Sequence, residues 1–415
     1  MTIELIIIGD EILNGRTLDA NLAWMAPWLF KKGLNLNHVT MVRDEPTQMI
    51  EAMTTAWKRS NIIITSGGIG PTLDDLTKAI MAEFAGKTLG EDANARAIVE
   101  KNYKRIDREW TPQTNAYHLI PKDFIATDNP VGLAPGLVYI NEGKALMAAP
   151  GVPKEFAVMV EDVFFPLLES KGFNLIGDQG QVVIRTFGVP EEKIFGELCP
   201  TLWKDLERFG KVSSLPHITG VDILVTFAGE ANKTEYQKEI QSIVEATSLV
   251  PHVWQWGTLS LEEYIVQKAK KLGKTICFAE SCTGGLVASK ITDISGSSEV
   301  FLGSVVSYAN SAKEDFLHVS DRDIKKFGAV SEQVAQAMAQ GAREKFKADY
   351  CVSFSGIAGP SGGTVEKPVG LVCQGFSSAT KLVSRSLTFK GDRQKLKERF
   401  AMSGLFWLLK ELEDY

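Results

Sequence analysis

Two stretches in the last third of the chain bring together the residue types of a serine nucleophile and a lysine base. In the first, Ala279-Glu280-Ser281-Cys282-Thr283-Gly284-Gly285 joins an apolar run of strand type to a helical pattern. Glycines there let the backbone close on a ligand, and the free N–H groups of a helix start point toward it. Ser281 stands where an exposed hydroxyl would face those donors. The alternative is that Ser281 and Thr283 only cap the helix, since both residue types are favoured at that position. In the second stretch, Tyr308-Ala309-Asn310-Ser311-Ala312-Lys313-Glu314, the spacing of Ser311 and Glu314 is that of a capping box and places Lys313 in the first helical turn. The positive end of a helix disfavours a charged lysine by about 0.3–1 kcal/mol, which helps a lysine that must act as a base. Bringing a lysine from about 10.4 to about 7 takes roughly 4–5 kcal/mol, so burial against apolar walls must supply the larger share. The other reading of Lys313 is a solvated side chain lying along a helix surface.

Tyr308 and Lys313 invite comparison with the Tyr/Lys pair of short-chain dehydrogenases, but their spacing is five rather than four. Five steps of about 100° set the two side chains about 140° apart on a helix. No Gly-x-Gly-x-x-Gly follows a strand either, so hydride transfer is excluded. A third segment, Phe354-Ser355-Gly356-Ile357-Ala358-Gly359-Pro360-Ser361-Gly362-Gly363 followed by Lys367-Pro368-Val369-Gly370, has the composition of a nest of N–H groups around a phosphate, or simply of a turn. Arg393, after Gly391 and Asp392, could grip the same phosphate in bidentate fashion or lie free on the surface.

The N-terminal third carries a different kind of constellation. Gly9, Asp10, Glu11 and Asn14 follow one strand-like run; Ser66, Gly67, Gly68, Gly70 and Thr72 follow another. Glycines allow close approach to a pyrophosphate, and Asp10, Asp74 and Asp75 suit a hard divalent ion as cofactor. Thr72, Asp74 and Asp75 could equally cap the next helix. The five histidines (His38, His118, His217, His252 and His318) are scattered without zinc-ligand spacing.

The elements that must position these residues are legible from periodicity. Apolar runs at 3–8, 36–42 and 61–65 alternate with helical patterns at 19–32 and 47–59, the signature of a parallel, doubly wound sheet with ligands at the strand C-terminal ends. A strand at 145–149, a turn at Pro150-Gly151 and a helix over 153–170, kinked or divided by Pro166, close this part. Residues 172–180 break the pattern. Strands at 181–187 and 221–227 with helices at 191–209 and 231–246 make a small α+β module. The last part opens with Ser260 and Glu263 at capping-box spacing. It continues through strands at 275–279, 300–307, 350–355 and 370–376, with helices at 284–292, 312–317 and 331–346.

With 415 residues, 44% hydrophobic and 23% charged, the chain has the composition of two or three globular domains. A net charge of −6 offers no general hold on phosphate backbones, so no nucleic-acid partner is expected. The five cysteines form no Cys-x-x-Cys pair and read as reduced, small hydrophobes of a reducing compartment. The first ten residues read as a strand carrying Glu4, not as a signal peptide, and no apolar stretch approaches the roughly 18 residues of a membrane span. A cytoplasmic protein without membrane contact is expected.

Residues 259–415 resemble the nicotinamide-nucleotide amidase domain of the CinA family. The resemblance rests on Ala-Glu-Ser-Cys-Thr-Gly-Gly, Gly-Ser-Ser, Tyr-Ala-Asn-Ser-Ala-Lys, Gly-Ala-Val-Ser-Glu, Ser-Gly-Ile-Ala-Gly-Pro and Lys-Pro-Val-Gly. It implies hydrolysis of nicotinamide mononucleotide to nicotinic acid mononucleotide and ammonia, without a cofactor. Ser281 would be the nucleophile, Lys313 its base, and Tyr308 a partner in proton transfer or lysine positioning. The N–H groups of Thr283, Gly284 and Gly285 would form the oxyanion hole, and Gly356, Ala358, Gly359 and Gly362 with Arg393 would hold the nucleotide.

Residues 1–170 are similar to the family's molybdopterin-binding-like domain, which implies a metal-dependent ADP-ribose pyrophosphatase, and residues 171–255 resemble its KH-like module. Where the family typically has Gln-Ala before an apolar-Pro ending, this chain carries Tyr117-His118. The expected fold class is therefore α/β: a doubly wound molybdopterin-binding-like domain, a small α+β KH-like module, and a C-terminal α/β amidase domain over 256–415. The resemblance also suggests a homodimer recycling pyridine nucleotides. The alternatives are a nucleotide-sensing or interaction protein linked to competence or DNA repair, and a molybdopterin-binding protein.

Overall fold

A computed structural model of the chain describes residues 1–72 and 75–413. Asp74, one of the expected metal ligands, lies outside the described residues. The chain divides into two compact units, residues 1–180 with 227–232, and residues 181–226 with 233 onward.

In the first unit, strands β1 (Ile3–Ile8), β2 (Leu36–Val42) and β3 (Ile62–Ser66) form where the apolar runs place them, joined by helices Ala20–Lys31 and Pro46–Arg59. Further along come β4 (Leu89–Glu91), β5 (Leu119–Pro121), β6 (Ile125–Thr127), β7 (Gly136–Asn141) and β8 (Lys144–Ala149). The main sheet has the order β2-β1-β3-β8-β7-β6, while β4 and β5 pair separately. The first four strands are parallel; β7 and β6 extend the sheet antiparallel. The wholly parallel sheet expected from the alternation is thus mixed, because the tight Glu142-Gly143 turn, at positive φ, returns β7 directly onto β8 without a crossover helix.

All six residues of β1 are buried, as both faces of the sheet are covered. Ile6 and Ile8 join one apolar core with Met49, Met53 and Ile80. Ile3, Leu5 and Ile7 join the opposite core with Met25, Leu29 and Phe156. Glu4 interrupts this pattern as a fully buried carboxylate. It accepts two hydrogen bonds from Arg59 (3.0 and 2.5 Å), one from Ser60 (2.9 Å) and one from Thr40 (3.0 Å). Burial alone would raise its pKa, but these donors outweigh burial and hold it below the ordinary glutamate value.

Residues 153–170 form three successive pieces, Pro153–Val158, a π-helical stretch Met159–Phe164, and Phe165–Ser170. Pro166 lacks the N–H that would continue the ladder, and the wider turn absorbs the break.

The second unit opens with a four-stranded sheet. To β9 (Gln179–Thr186) and β11 (Gly220–Ala228), both expected, the fold adds β10 (Lys211–His217) and β12 (Val253–Trp256), in the order β10-β11-β9-β12. The single helix expected at 191–209 is divided into Glu191–Lys193, Ile194–Leu198 and Leu202–Glu207. Pro200 is the cause: it forces Cys199 out of helical backbone, to φ −149° and ψ 67°.

The C-terminal sheet comprises β13 (Ile276–Glu280), β14 (Phe301–Val306), β15 (Tyr350–Gly356), β16 (Leu371–Ser377) and β17 (Leu382–Thr388), in the order β14-β13-β15-β16-β17. Strands β14, β13 and β15 are parallel, so the loops after all three emerge at one edge, where α/β sheets bind ligands. The Ser260/Glu263 capping box forms with both of its bonds, at 3.1 and 2.7 Å, and Gly273 at φ 61° ends that helix. Strand β17 and the helix Arg393–Glu413 were not expected. Leu396, Phe400, Leu405 and Leu409 of that helix join the main apolar core. All five cysteines are buried and unpaired.

Candidate active site

Ser281 is the first residue beyond β13, held by its own N–H donating to Phe354 O of β15 at 2.9 Å. Lys313 comes from the helix Asn310–Leu317. That helix starts two residues earlier than the capping-box spacing requires: its N-cap is Ala309, no side chain caps it, and the Ser311/Glu314 box does not form. Lys313 is therefore the fourth helical residue, with its N–H bonded to Ala309 O. Side chains tilt toward a helix N-terminus, and this one turns inward.

Lys313 is 1% exposed. Its Nζ donates to Ser281 Oγ at 3.2 Å, Ser307 O at 2.8 Å and Tyr308 O at 3.2 Å. All three acceptors are uncharged, and among the described residues no carboxylate pairs with it. Burial accordingly lowers its pKa from the ordinary lysine value, with a small opposing effect from Cys282.

Cys282, beside the serine, is a poor rival nucleophile. It is buried, and burial pushes its thiol up to about 12, so thiolate is scarce at neutral pH. Tyr308 serves the lysine through its backbone carbonyl. Its phenol is 64% exposed and accepts from Arg393 Nη2 at 3.3 Å.

A residue that sequence reasoning left unassigned organises the turn. Glu280, completely buried, accepts from the N–H groups of Gly285 (2.9 Å), Val287 (3.1 Å) and Ala288 (3.0 Å) and from Ser304 Oγ (3.0 Å). A carboxylate at a strand end just before a helix start was the available signal. This corrects the expected oxyanion donors: Gly285 N–H belongs to Glu280, and Gly284 N–H reaches Ser281 O at 3.2 Å. Of the three, Thr283 N–H is left without a backbone acceptor among the described residues. The hydroxyls of Thr283 and Ser307, in the two segments that carry the pair, are buried without partners.

The glycine loop closes over the same sheet edge. Arg393 Nη1 donates to Gly359 O at 2.6 Å, so one guanidinium joins this loop to Tyr308. Gly359 and Gly362 take positive φ (67° and 89°), and a Cβ on Gly356 would lie 2.6 Å from Leu371 O. Ala358 packs into the apolar core, leaving its backbone alone to face a ligand. Lys367 is not a phosphate ligand: its Nζ is tied to Phe327 O and Val330 O at 2.6 and 2.7 Å.

In the first unit a cavity of about 380 Å³ is lined by Gly9, Glu11, Gly67, Gly68, Gly70 and Asp75 from the two expected motifs. It also takes in Asp44, an acidic residue beyond β2 that sequence reasoning passed over. Asp10, Asn14, Ser66 and Thr72 do not line this cavity. Ser66 Oγ accepts from Asn21 Nδ2 at 2.7 Å, and Asp10 faces Arg43 at 3.5 Å. The carboxylate of Asp75 accepts from the N–H groups of Gly70 (2.7 Å) and Thr72 (2.8 Å) and from the Thr72 hydroxyl. Among the described residues no group of three or more His, Cys, Asp or Glu is arranged to hold a metal. Of the expected ligands that are described, Asp75 closes its own loop and Asp10 faces Arg43. Tyr117 shares a small cavity wall with Gly70 and Asp75, and burial raises its phenol above the ordinary value. His118 packs edge-on against Trp110, 5.2 Å between ring centres. Of the two positions of the departure, Tyr117 therefore lies beside the glycine loop.

A mixed sheet with glycine loops at its strand ends, followed by a Ser/Lys site on a second sheet, defines a two-part α/β chain, and comparison with known proteins agrees. Residues 4–170 match the family described as the probable molybdopterin binding domain, and residues 258–412 match the CinA C-terminal domain. A CinA-like protein of Kosmotoga olearia is 35% identical over 99% of both chains, and one of Salinibacter ruber is 34% identical over 98% of both. A solved structure of the competence/damage inducible protein CihA from Agrobacterium tumefaciens is 37% identical, covers 37% of this chain and 93% of its own, and has a TM-score of 0.36. The chain belongs to the CinA family. Among the described residues, no helix is long and apolar enough to cross a membrane.

Proposed function

We propose that the C-terminal site hydrolyses the carboxamide of nicotinamide mononucleotide, giving nicotinic acid mononucleotide and ammonia. The observation that carries this reading is the 3.2 Å approach of Lys313 Nζ to Ser281 Oγ, with the lysine buried and no carboxylate beside it. A neutral amine has two N–H bonds and one lone pair. The carbonyls of Ser307 and Tyr308 take the two N–H bonds, which leaves the lone pair for the Ser281 hydroxyl.

Ser281 Oγ attacks the carboxamide carbon while its proton passes to Lys313. Thr283 N–H and the adjacent Cys282 N–H are the donors available to the oxyanion. Collapse breaks the C–N bond, and Lys313 returns the proton to the leaving nitrogen as ammonia departs. Water, deprotonated by the same amine, then cleaves the ester and releases the acid. Arg393, whose other N–H bonds remain after Gly359 and Tyr308 are served, suits the substrate phosphate.

The test is ammonia release from nicotinamide mononucleotide by the full chain and by Ser281→Ala. Turnover in the first and a loss of about 10⁴-fold or more in the second are expected. Tight nucleotide binding without turnover in the unmodified chain would favour a sensor instead.

A second activity, cleavage of ADP-ribose at its pyrophosphate, is supported by the glycine-lined cavity of the first unit. A Cβ on Gly67 would lie 2.4 Å from Ile8 O, so backbone alone fits there. Release of AMP from ADP-ribose tests it, and binding of a pterin without cleavage would replace it.

A further inference from the structure

A cavity of about 650 Å³ opens in the second unit between the four-stranded sheet and the face formed by β17 and the helix Arg393–Glu413. None of its lining residues belongs to the Ser281 site, and its size is within the usual range of small-molecule sites, about 300–1,000 Å³. Its chemistry is uneven. Phe187, Val189, Leu387 and Phe389 make part of its lining apolar, and Phe187 also stacks on Phe406 with ring centres 3.6 Å apart.

Two arginines line the same cavity. Arg399 has a buried Nε with no hydrogen-bond partner, and among the described residues no carboxylate pairs with its guanidinium. Arg385 donates only to neutral oxygens, Gln374 Oε1 at 3.0 Å and Ser403 O at 2.8 Å, and lies over the Trp407 ring at 4.3 Å. Burial lowers its pKa to about 10, even though Glu411 favours its charge. Glu411 is itself tied to Lys381 at 2.6 Å. Two guanidinium groups line one recess, and one of them keeps a donor that folding has left unmade. At the rim, Glu192 is exposed, and Glu191 accepts from Ser214 Oγ.

We propose that this cavity is a binding site for a small phosphorylated compound with a planar ring, a mononucleotide in size. Arg399 and Arg385 hold the phosphate, Leu387 and Phe389 take the ring, and the rim glutamates accept from ligand hydroxyls. The inference stands apart from the amidase reading, because it requires nothing of Ser281 or Lys313.

The experiment labels the full-length protein with phenylglyoxal, which modifies accessible guanidinium groups, and reads Arg399 by peptide mass spectrometry. AMP at millimolar concentration is the probe, with adenosine and inorganic phosphate as comparisons. Labelling of Arg399 is expected to fall at least fivefold with AMP, less with phosphate and not with adenosine, and to fall equally in Ser281→Ala. By calorimetry, Arg399→Gln is expected to lose one equivalent of bound AMP per chain. Equal labelling with and without AMP overturns the proposal, as does equal protection by adenosine. If Arg399→Gln does not fold, the labelling of the unmodified chain decides alone.

Discussion

The two candidate sites of this chain are built by opposite means. At the C-terminal site the chemistry sits in side chains held against their solvation preference: Lys313 is buried with only neutral partners, next to a hydroxyl. At the N-terminal site Asp75 is bonded to its own loop, Asp10 faces Arg43, and the cavity is shaped largely by glycine backbone. The first arrangement sets a buried amine against a hydroxyl, whereas the second surrounds its cavity largely with backbone. Uncompensated burial therefore separates a catalytic group from a structural one better than residue type does.

The contrast breaks most readily at Lys313. Lys313→Met keeps the length of the side chain and removes the buried charge. Ammonia release should fall about 10³-fold or more, while the melting temperature holds or rises, since replacing a buried charge by an apolar group is often neutral or stabilising. A variant that is both inactive and strongly destabilised would show that the amine is structural.

Gly67→Ala probes the other side. Its Cβ would meet Ile8 O at 2.4 Å, with φ at 108°. Urea denaturation should show a loss of about 2 kcal/mol in the first unit, with ammonia release by the folded protein unchanged. No loss of stability would mean that the glycine cradle is looser than its geometry.

Arg393→Ala should raise KM for nicotinamide mononucleotide about tenfold with little change in kcat, as expected for a group that grips a remote phosphate. A fall in kcat alone would move Arg393 into the chemistry. The smallest effect is expected for Tyr308→Phe. Its exposed phenol touches only Arg393 and its carbonyl is retained, so kcat/KM should stay within about threefold. A larger loss would restore the hydroxyl to proton transfer.

Much of this was legible in the sequence where local rules agree with the fold. Strands β1 to β3, the Ser260/Glu263 box and the break at Pro166 follow from periodicity, capping chemistry and a missing N–H. The Ser281–Lys313 pair was legible as types and motif, and burial as the main cause of the lysine's perturbation was legible too, but the helix start was not. That helix starts at Asn310 without a side-chain cap, so the capping-box spacing misplaced it. Glu280 was signalled locally by a carboxylate before a helix start, with partners at 285, 287 and 288, whereas Ser304 comes within reach only once β13 and β14 pair. Strand β17 and the helix Arg393–Glu413 escaped because charged residues interrupt their apolar positions. The aspartates were read as metal ligands because composition cannot show that Asp75 spends both oxygens on its own loop.

The pH dependence of kcat/KM for nicotinamide mononucleotide tests the central claim most directly. Lys313 works as a base only when neutral, and burial lowers its pKa below the ordinary 10.5. Activity should therefore rise with pH along a limb whose midpoint lies below that value, and the limb should be missing from the residual rate of Lys313→Met. A limb centred at the ordinary lysine value, or one that persists unchanged in Lys313→Met, would contradict the account.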